Sequence, residues 1–198
     1  MKLVVGLTGG IASGKSYVSS YLLRQGYKII DTDKISKELY SDKEYIEKIN
    51  ASFPMCVKDN IIDKKLLKEL VFSDSEKLNL LNNIAHPLIF EKTKKEIEAS
   101  CGIIFIDAPL LFEASFDKIC DLVVCVYTTK EIQLERLIKR DNISKEFAQE
   151  IIDNQMDVEI KKKKSDLLVK SEEDFNLTDK NIDKMLERIK EYGKNIRN

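Results

Sequence analysis

Residues 9–16 read Gly-Gly-Ile-Ala-Ser-Gly-Lys-Ser, which fits the pattern G-x-x-x-x-G-K-[ST] of a phosphate-binding loop. Residues 3–7 before this loop are apolar and β-rich, and the residues after it have the apolar spacing of a helix. The glycines let the backbone wrap a phosphate, and the N–H groups at the start of the following helix attract its negative charge. The full match in this context disfavours a chance glycine-rich turn and predicts a protein that binds ATP or GTP.

The chemistry of the motif assigns roles within the loop. Lys15 is predicted to reach the β- and γ-phosphates and to act there in catalysis. The Ser16 hydroxyl is predicted to ligate Mg²⁺, which makes this ion the expected cofactor. The residues predicted to bind ATP are Gly9, Gly10, Ala12, Ser13, Gly14, Lys15, Ser16 and Tyr17.

Composition fits an ordinary globular protein with one core, with or without an inserted cap. The 198 residues carry 33 Lys and Arg against 34 Asp and Glu, so no overall basic field favours nucleic acid. No apolar run approaches the roughly 20 residues that span a bilayer, and the four cysteines lack metal-site spacing. We therefore expect a cytoplasmic protein without a nucleic-acid or membrane partner. A monomer is expected as well, although none of these features bears on the oligomeric state.

Five apolar, β-rich runs alternate with polar helical stretches, a pattern typical of a parallel sheet covered by helices on both faces. The runs cover residues 3–7, 27–30, 103–106, 122–127 and 167–169. The predicted fold class is therefore α/β, with a five-stranded parallel sheet flanked by helices. A terminal amphipathic helix is expected over residues 179–192.

Two helical stretches interrupt this alternation. Residues 34–102 show several helical patterns, one of them through Ile35, Leu39, Ile46 and Ile49, and no convincing strand. Two insertions on a phosphate-loop core are typical of a small-molecule kinase, which must hold an acceptor and exclude water from the γ-phosphate. We expect one kinase domain over residues 1–198, with a helical acceptor-binding insertion at 34–102, a helical lid at 141–164 and a core at 1–33, 103–140 and 165–198.

Carboxylates follow two of the predicted strands. Asp33 comes after the second strand, at the edge where ligands bind in open parallel sheets, and could accept the proton of an attacking hydroxyl. Spacing alone leaves an equal alternative, in which Asp33 caps a helix that begins near Lys34. Asp107 ends the third strand and is predicted to hold Mg²⁺, directly or through water, the alternative being a strand-end turn.

Basic side chains near the second insertion suit a phosphoryl group in transfer. Arg136 and Arg140 lie four apart on a helix predicted over residues 130–139, so they share a face, although a solvated pair is the alternative. The lysines at 161–164 are expected to form a solvated face, with phosphate contacts as the alternative. His86 is the single histidine, and such a residue more often caps or packs than catalyses.

The order of these motifs resembles the dephospho-CoA kinase family over the chain up to about residue 175. The phosphate loop, Asp31-Thr32-Asp33 and Ile84-Ala85-His86-Pro87 are similar to three motifs of that family. Asp107-Ala108-Pro109-Leu110-Leu111-Phe112-Glu113 resembles its most distinctive motif. The residues that match its lid region are Arg136, Arg140, Asp141, Gln155, Glu159, Lys161 and Asp166.

The resemblance implies that the chain transfers the γ-phosphoryl group of ATP to the ribose 3′-hydroxyl of 3′-dephospho-CoA, giving CoA and ADP. It implies that Asp33 orients and deprotonates this hydroxyl, while Arg140, with Arg136, closes on the transferring group. ATP and 3′-dephospho-CoA are then the partners of the protein. The residues implied to bind the acceptor are Asp33, His86, Pro109, Leu110 and Phe112.

The chain departs from the family pattern at positions outside the phosphate loop's glycines and Asp33. Tyr17 replaces a usual Thr, Lys37 a His, Lys64 an Arg, Asn82 an acidic residue, and Lys170-Ser171-Glu172 an Asn-Ser-Gly. These departures concern contacts to the acceptor and the adenine. The alternatives are a kinase for a nucleoside or nucleotide and a non-catalytic nucleotide-binding module, whereas the lack of an Asn-Lys-x-Asp motif disfavours a GTP switch.

Overall fold

A five-stranded sheet in the order β2-β5-β1-β6-β7 forms the centre of the computed structural model, which describes residues 2–72 and 74–195. The strands are β1 (Lys2–Gly9), β2 (Lys28–Asp31), β5 (Gly102–Asp107), β6 (Leu122–Tyr127) and β7 (Leu167–Lys170). β1 lies in the middle and pairs in parallel with β5 and β6, with Leu7 opposite Asp107. The predicted α/β class and the five-stranded parallel sheet are confirmed.

The central strands β1, β5 and β6 are buried along most of their length, so both of their faces are covered. Val5, Leu7 and Phe105 are fully buried, and each such side chain contributes roughly 1.5–3 kcal/mol relative to exposure. They belong to one cluster with apolar side chains of α1 (Lys15–Arg24) and α9 (Phe175–Asn195). This core fixes the carboxyl ends of β1 and β5, from which the phosphate loop and the segment after Asp107 emerge.

The described residues group into two compact units, one within Met1–Ile30 and Ser100–Asn198 and the other within Asp31–Ala99. The α-helices described in the second unit are α2 (Thr32–Leu39), α3 (Lys43–Ser52), α4 (Lys64–Phe72) and α5 (Ser75–Glu98). The pattern predicted as one helix through Ile35 and Ile49 is therefore divided between α2 and α3. The break occurs because Asp42 accepts a hydrogen bond from Tyr45 N and starts a new helix.

A short hairpin in this unit contradicts the expectation that residues 34–102 hold no strand. β3 (Val57–Lys58) pairs antiparallel with β4 (Ile61–Ile62), and the turn residues Asp59 and Asn60 have φ angles of 51° and 61°. Asp and Asn tolerate this left-handed conformation, which a tight hairpin turn requires. Two-residue strands are too short to give a periodic signal, so only the turn residues indicate the hairpin.

The first unit continues after β6 with α6 (Lys130–Asp141), α7 (Lys145–Asp153) and α8 (Val158–Lys164). The last two lie in the stretch 141–164 that the sequence predicts to be helical. Thr129, Ser144 and Asp157 cap the three helices, each accepting a hydrogen bond from a backbone N–H of the first turn. Over the residues that the structure describes, no helix is long and apolar enough to cross a membrane.

Candidate active site

The phosphate loop joins β1 to α1, and α1 starts without a side-chain cap. Its N-cap residue is Gly14, with a φ of 91°, and no side-chain cap hydrogen bond is present in the described part of the chain. By contrast, an Asp, Ser or Thr side chain caps α2, α3, α5, α6, α7 and α8. The unsatisfied N–H groups and the positive end of the α1 dipole therefore form a site for an anion.

Close packing requires glycine at two positions of the loop. A Cβ at Gly14 would lie 2.2 Å from Ser171 Oγ, and a Cβ at Gly9 would lie 2.5 Å from the Val126 carbonyl oxygen. Gly14 also has the left-handed φ that residues with a Cβ avoid. A side chain at either position would displace the backbone whose N–H groups form the anion site.

Ser13 adds an unpaired polar atom to the loop. The residue is 2% exposed, and its Oγ has no hydrogen-bond partner among the described residues. An unpaired buried hydroxyl costs about 1–3 kcal/mol, and a phosphate oxygen within reach would remove this cost. The orphaned hydroxyl thus fits the ATP contact that the motif predicts for Ser13.

Lys15 and Asp107 form an ion pair between the start of α1 and the end of β5. Their side chains are 14% and 10% exposed, so most of the solvent is kept from both charges. The parallel register that sets Leu7 opposite Asp107 brings this carboxylate beside the loop. A flexible lysine in this place can exchange the carboxylate for phosphate oxygens.

Two oxygen donors suited to magnesium lie at or next to this pair, the Asp107 carboxylate and the exposed hydroxyl residue Ser16, which follows Lys15. Among the described residues, no group of three or more His, Cys, Asp or Glu could hold a metal ion alone. Mg²⁺ usually keeps several waters and binds one or two protein oxygens together with substrate phosphates. The residues present therefore fit a magnesium ion that arrives with ATP.

Two glutamines hold the phosphate loop at Ile11. Gln133 Nε2 donates to the Ile11 carbonyl oxygen at 2.7 Å, and Ile11 N donates to Gln155 Oε1 at 3.1 Å. Gln133 is buried on α6, whereas Gln155 follows α7, so the helical stretch 141–164 is bonded directly to the loop. Neither contact could be predicted, because an isolated glutamine carries no sign of a partner 122 or 144 positions away.

Arg136 and Arg140 have different surroundings although they lie four residues apart on α6. Arg136 donates to Ser171 Oγ at 3.0 Å and to the Glu172 carbonyl oxygen at 2.7 Å. Its Nη1 would also lie 3.2 Å from a Cβ at Gly14, so this guanidinium borders the phosphate loop. Arg140 is 55% exposed and hydrogen-bonds Asp141, which raises the pKa of the guanidinium and lowers the pKa of the carboxyl.

Tyr17 follows Ser16 in the chain and packs against α9. Its ring stacks on Phe175 with the centroids 4.7 Å apart, and its hydroxyl donates to Asp179 Oδ1 at 2.8 Å. This hydrogen bond is the main reason why the pKa of Tyr17 is raised. Because the hydroxyl is engaged with α9, an ATP contact by Tyr17 would use its backbone or its ring.

Lys161 on α8 secures the segment that follows Asp107. Its ammonium donates to the Pro109 carbonyl oxygen at 2.7 Å and pairs with Glu113 Oε1 at 3.0 Å. The residue is 1% exposed, so the expectation of a solvated face over residues 161–164 is wrong at this position. The reason is that α8 packs against β1 and β6 and turns one lysine of the run inward.

In the second unit, Asp31 rather than Asp33 caps α2. Asp31 Oδ1 accepts hydrogen bonds from Asp33 N at 2.9 Å and from Lys34 N at 3.0 Å. The alternative in which Asp33 is the cap is wrong because the helix begins at Thr32. Asp33 lies in the first turn of α2, where the helix dipole favours a carboxylate, and its assignment as the base stays a prediction.

His86 and Pro87 lie inside α5. Burial lowers the pKa of His86 below its ordinary value, which keeps the ring neutral at pH 7. Pro87 lacks the N–H that a mid-helix residue donates, so a carbonyl of the preceding turn loses its usual partner. The acceptor contact of His86 stays a prediction.

Comparisons with known proteins identify relatives along nearly the whole chain. The CoaE dephospho-CoA kinase family model matches residues 3–176. The dephospho-CoA kinase of Fusobacterium nucleatum is 42% identical over 191 residues, which cover 94% of this chain and 98% of that protein. The solved structure of dephospho-CoA kinase from Campylobacter jejuni has a TM-score of 0.72 at 32% identity, covering 98% of this chain and 100% of that one. Shikimate kinase from Acinetobacter baumannii, with a TM-score of 0.58 at 13% identity and coverage of 97% and 95%, is similar in fold alone.

Proposed function

This chain belongs to the dephospho-CoA kinase family, and from that premise we propose how its residues carry out the reaction. The reaction transfers the γ-phosphoryl group of ATP to the ribose 3′-hydroxyl of 3′-dephospho-CoA, giving CoA and ADP as the last step of CoA biosynthesis. The observation that supports it best is the uncapped start of α1 beside the Lys15–Asp107 pair. An anion site with a movable cation suits a nucleoside triphosphate.

On the ATP side, the N–H groups of residues 9–16 would hold the phosphates while Lys15 moves from Asp107 to the β- and γ-oxygens. Ser13 Oγ would donate to a phosphate oxygen, which is supported by its lack of a partner among the described residues. Ser16 and Asp107 would hold Mg²⁺, the latter directly or through water. When bound, the ion supplies charge neutralisation at the β- and γ-oxygens.

On the acceptor side, Asp33 would orient the 3′-hydroxyl and accept its proton. This role is supported by the finding that Asp31 already caps α2, so the cap does not need the Asp33 carboxylate. Because the transition state of phosphoryl transfer is loose, this base contributes less than in-line positioning and charge stabilisation. The other acceptor contacts are assigned to His86, Pro109, Leu110 and Phe112.

Transfer to the acceptor requires that water be kept from the γ-phosphate. We assign this task to residues 141–164 as a lid and acceptor binding to the insertion at 34–102. The bond between Gln155 and Ile11 supports the lid, because it ties that stretch to the phosphate loop. Arg140, with Arg136, would close on the transferring group, and the exposed pair of Arg140 with Asp141 is weak enough to be exchanged.

The compartment, oligomeric state and partners of the enzyme complete the proposal. The enzyme would act in the cytoplasm as a monomer whose partners are ATP and 3′-dephospho-CoA, without nucleic acid or a membrane. A formal net charge of −1 supports the lack of a nucleic-acid partner. Free thiols at Cys56, Cys101, Cys120 and Cys125 agree with a reducing compartment.

A coupled assay of ADP release with a panel of acceptors tests this function. Dephospho-CoA should be turned over at least about 100-fold faster than adenosine, AMP, thymidylate or shikimate, because remote parts of a substrate help to orient its reacting centre. Comparable rates with AMP or thymidylate would make the chain a nucleotide kinase. ADP release that does not depend on any acceptor would contradict a kinase function.

A further inference from the structure

We propose that Lys161 is a positioning residue for the acceptor, because its buried ammonium fixes the course of residues 109–113. The inference rests on the proposed function, which gives this segment its acceptor contacts. Lys161 itself would touch neither substrate. It would act through the backbone and side chains that it holds.

The ammonium of Lys161 is enclosed and contacts two oxygen atoms. Its side chain is 2% exposed, and desolvating such a charge is costly unless its partners satisfy it. Both partners belong to one short segment: the Pro109 carbonyl oxygen at 2.7 Å and Glu113 Oε1 at 3.0 Å. One charge on α8 therefore fixes both ends of residues 109–113.

The Pro109 carbonyl oxygen is a junction of three elements. Besides the bond from Lys161 on α8, it accepts a hydrogen bond from Thr8 Oγ1 on β1 at 3.2 Å. Thr8 directly precedes Gly9, the first residue of the phosphate loop, and Pro109 follows Asp107 by two residues. The position of the acceptor segment is thus set relative to both the phosphate loop and the strand end that carries Asp107.

The side chains between the two anchors divide between the core and the surface. Leu111 is fully buried and Phe112 is 8% exposed, whereas Leu110 is 50% exposed. Lys164, one turn after Lys161, lies with its ammonium 4.7 Å from the centroid of the Phe112 ring. Losing the anchor at Lys161 would shift Leu110 and Phe112, and a misplacement of about 1 Å can cost as much as 10²-fold in activity.

Substitutions at Lys161 distinguish an ion pair that only stabilises the fold from a contact that positions the acceptor segment. Lys161→Met leaves Glu113 without its cation, which lowers stability. Lys161→Met combined with Glu113→Gln removes both charges, and such neutral replacements often recover the stability that breaking a buried pair loses. The double variant still lacks the bond to the Pro109 carbonyl oxygen, so it separates stability from positioning.

The experiment measures KM for dephospho-CoA, KM for ATP and urea unfolding in these two variants. Both should raise the KM for dephospho-CoA by roughly tenfold or more and change the KM for ATP by less than about threefold, and the double variant should be the more stable of the two. Lys190→Met, on an exposed lysine of α9 that lies outside the lid and the substrate-binding residues, should leave both KM values unchanged. If Lys161→Met alone does not fold, the double variant carries the comparison.

Two results overturn the inference. In the first, the KM for dephospho-CoA in the double variant returns to the wild-type value as stability is recovered. In the second, the KM for ATP rises as much as that for dephospho-CoA. Failure of the proposed function is a separate observation, since it would appear as wild-type enzyme that does not phosphorylate dephospho-CoA.

Discussion

The two compact units differ in how far along the chain their polar contacts reach. In the first unit, Lys15 bonds Asp107 across 92 positions, and Lys161 bonds Pro109 across 52. In the second unit, the ion pair between Lys92 and Asp42 is long-range, but four further ion pairs join residues only three or four positions apart. These local pairs are Lys43–Glu47, Lys48–Glu44, Lys65–Glu69 and Lys77–Asp74.

This difference separates contacts that place chemical groups from contacts that build helices. A hydrogen bond between segments that are distant in sequence can position a side chain only after the folded sheet has brought those segments together. Local pairs and caps contribute about 0.2–2 kcal/mol each and favour a helix from its own sequence. Substitutions at long-range contacts of the first unit should therefore reduce turnover, and those at local contacts of the second unit should reduce stability, with Asp33 as the exception.

The largest effect is expected for Lys15→Ala, which removes the movable cation of the phosphate loop. Turnover should fall by roughly 10³-fold, because electrostatic stabilisation of this kind supplies several kcal/mol in the transition state. ADP release measures turnover, and circular dichroism checks the fold. A folded variant that keeps more than about a tenth of wild-type turnover contradicts the assignment.

Lys43→Ala is the matched control for this comparison in the second unit. The Lys43 side chain is 92% exposed and forms a local pair with Glu47 at 3.9 Å. Exposed pairs of this kind contribute little, so turnover should stay within about twofold of wild type. A large loss of turnover here would break the contrast between the two units.

Asp33→Asn should give the next largest effect and is the exception within the second unit. Because Asp33 is assigned as the base for the 3′-hydroxyl, turnover should fall by roughly 10²-fold in this variant, while ATP binding should change little. Asp31→Asn is the control, because Asn caps a helix about as well as Asp. Steady-state rates with dephospho-CoA decide the matter: near wild-type turnover of Asp33→Asn means that Asp33 is not the base.

Asp42→Ala should reduce stability without reducing turnover. Asp42 caps α3 through Oδ1 and pairs with Lys92 through Oδ2 at 2.7 Å. The free energy of unfolding in urea should fall by about 1 kcal/mol or more, whereas Asp42→Asn keeps the cap and should lose less. Equal losses for the two variants would show that the ion pair, not the cap, is what stabilises α3.

Acidification should weaken the same contact. The hydrogen bond from Lys92 lowers the pKa of Asp42, so its stabilising contribution is present above the unfolded pKa of about 4. The contribution is lost as the pH falls through the lower pKa of the folded protein. The stability difference between wild type and Asp42→Ala should therefore shrink at strongly acidic pH.

The smallest effect is expected from His86. Burial lowers its pKa in the folded protein, so the unfolded chain takes up a proton first as the pH falls through about 6.5. Wild type should lose stability between pH 7 and the folded pKa, and His86→Gln should show a flatter dependence. Urea unfolding at several pH values checks this, and identical slopes would mean that His86 does not titrate in the unfolding reaction.

The sequence predicts most of the first unit because its signals are local. The glycine pattern places the phosphate loop, and an apolar run ending in Asp107 places a strand end beside it. The buried Lys161 and the glutamine contacts at Ile11 could not be predicted, since each depends on a segment many residues away. The sequence predicts that polar residues in a helical stretch are exposed, because it does not show which of them the packing of the helix buries.

In the second unit, the sequence predicts helices but not the residues at which they begin. Asp31 caps α2, which starts at Thr32, and Asp42 caps α3, which starts at Lys43. The spacing of apolar residues alone predicts neither start. The hairpin of β3 and β4 is too short for a periodic signal. Cap and turn residues carry this information, but several neighbouring Asp and Asn residues compete for each position.

The most direct test of the whole account is the stoichiometry of the reaction. Wild-type enzyme is incubated with Mg²⁺, ATP and 3′-dephospho-CoA, and ADP and CoA are quantified together by chromatography and mass spectrometry. The account predicts one CoA, phosphorylated on the ribose 3′-oxygen, for each ADP, and roughly 10³-fold slower formation of both products with Lys15→Ala. ADP formed without CoA, or a phosphoryl group on another atom of the acceptor, would contradict it.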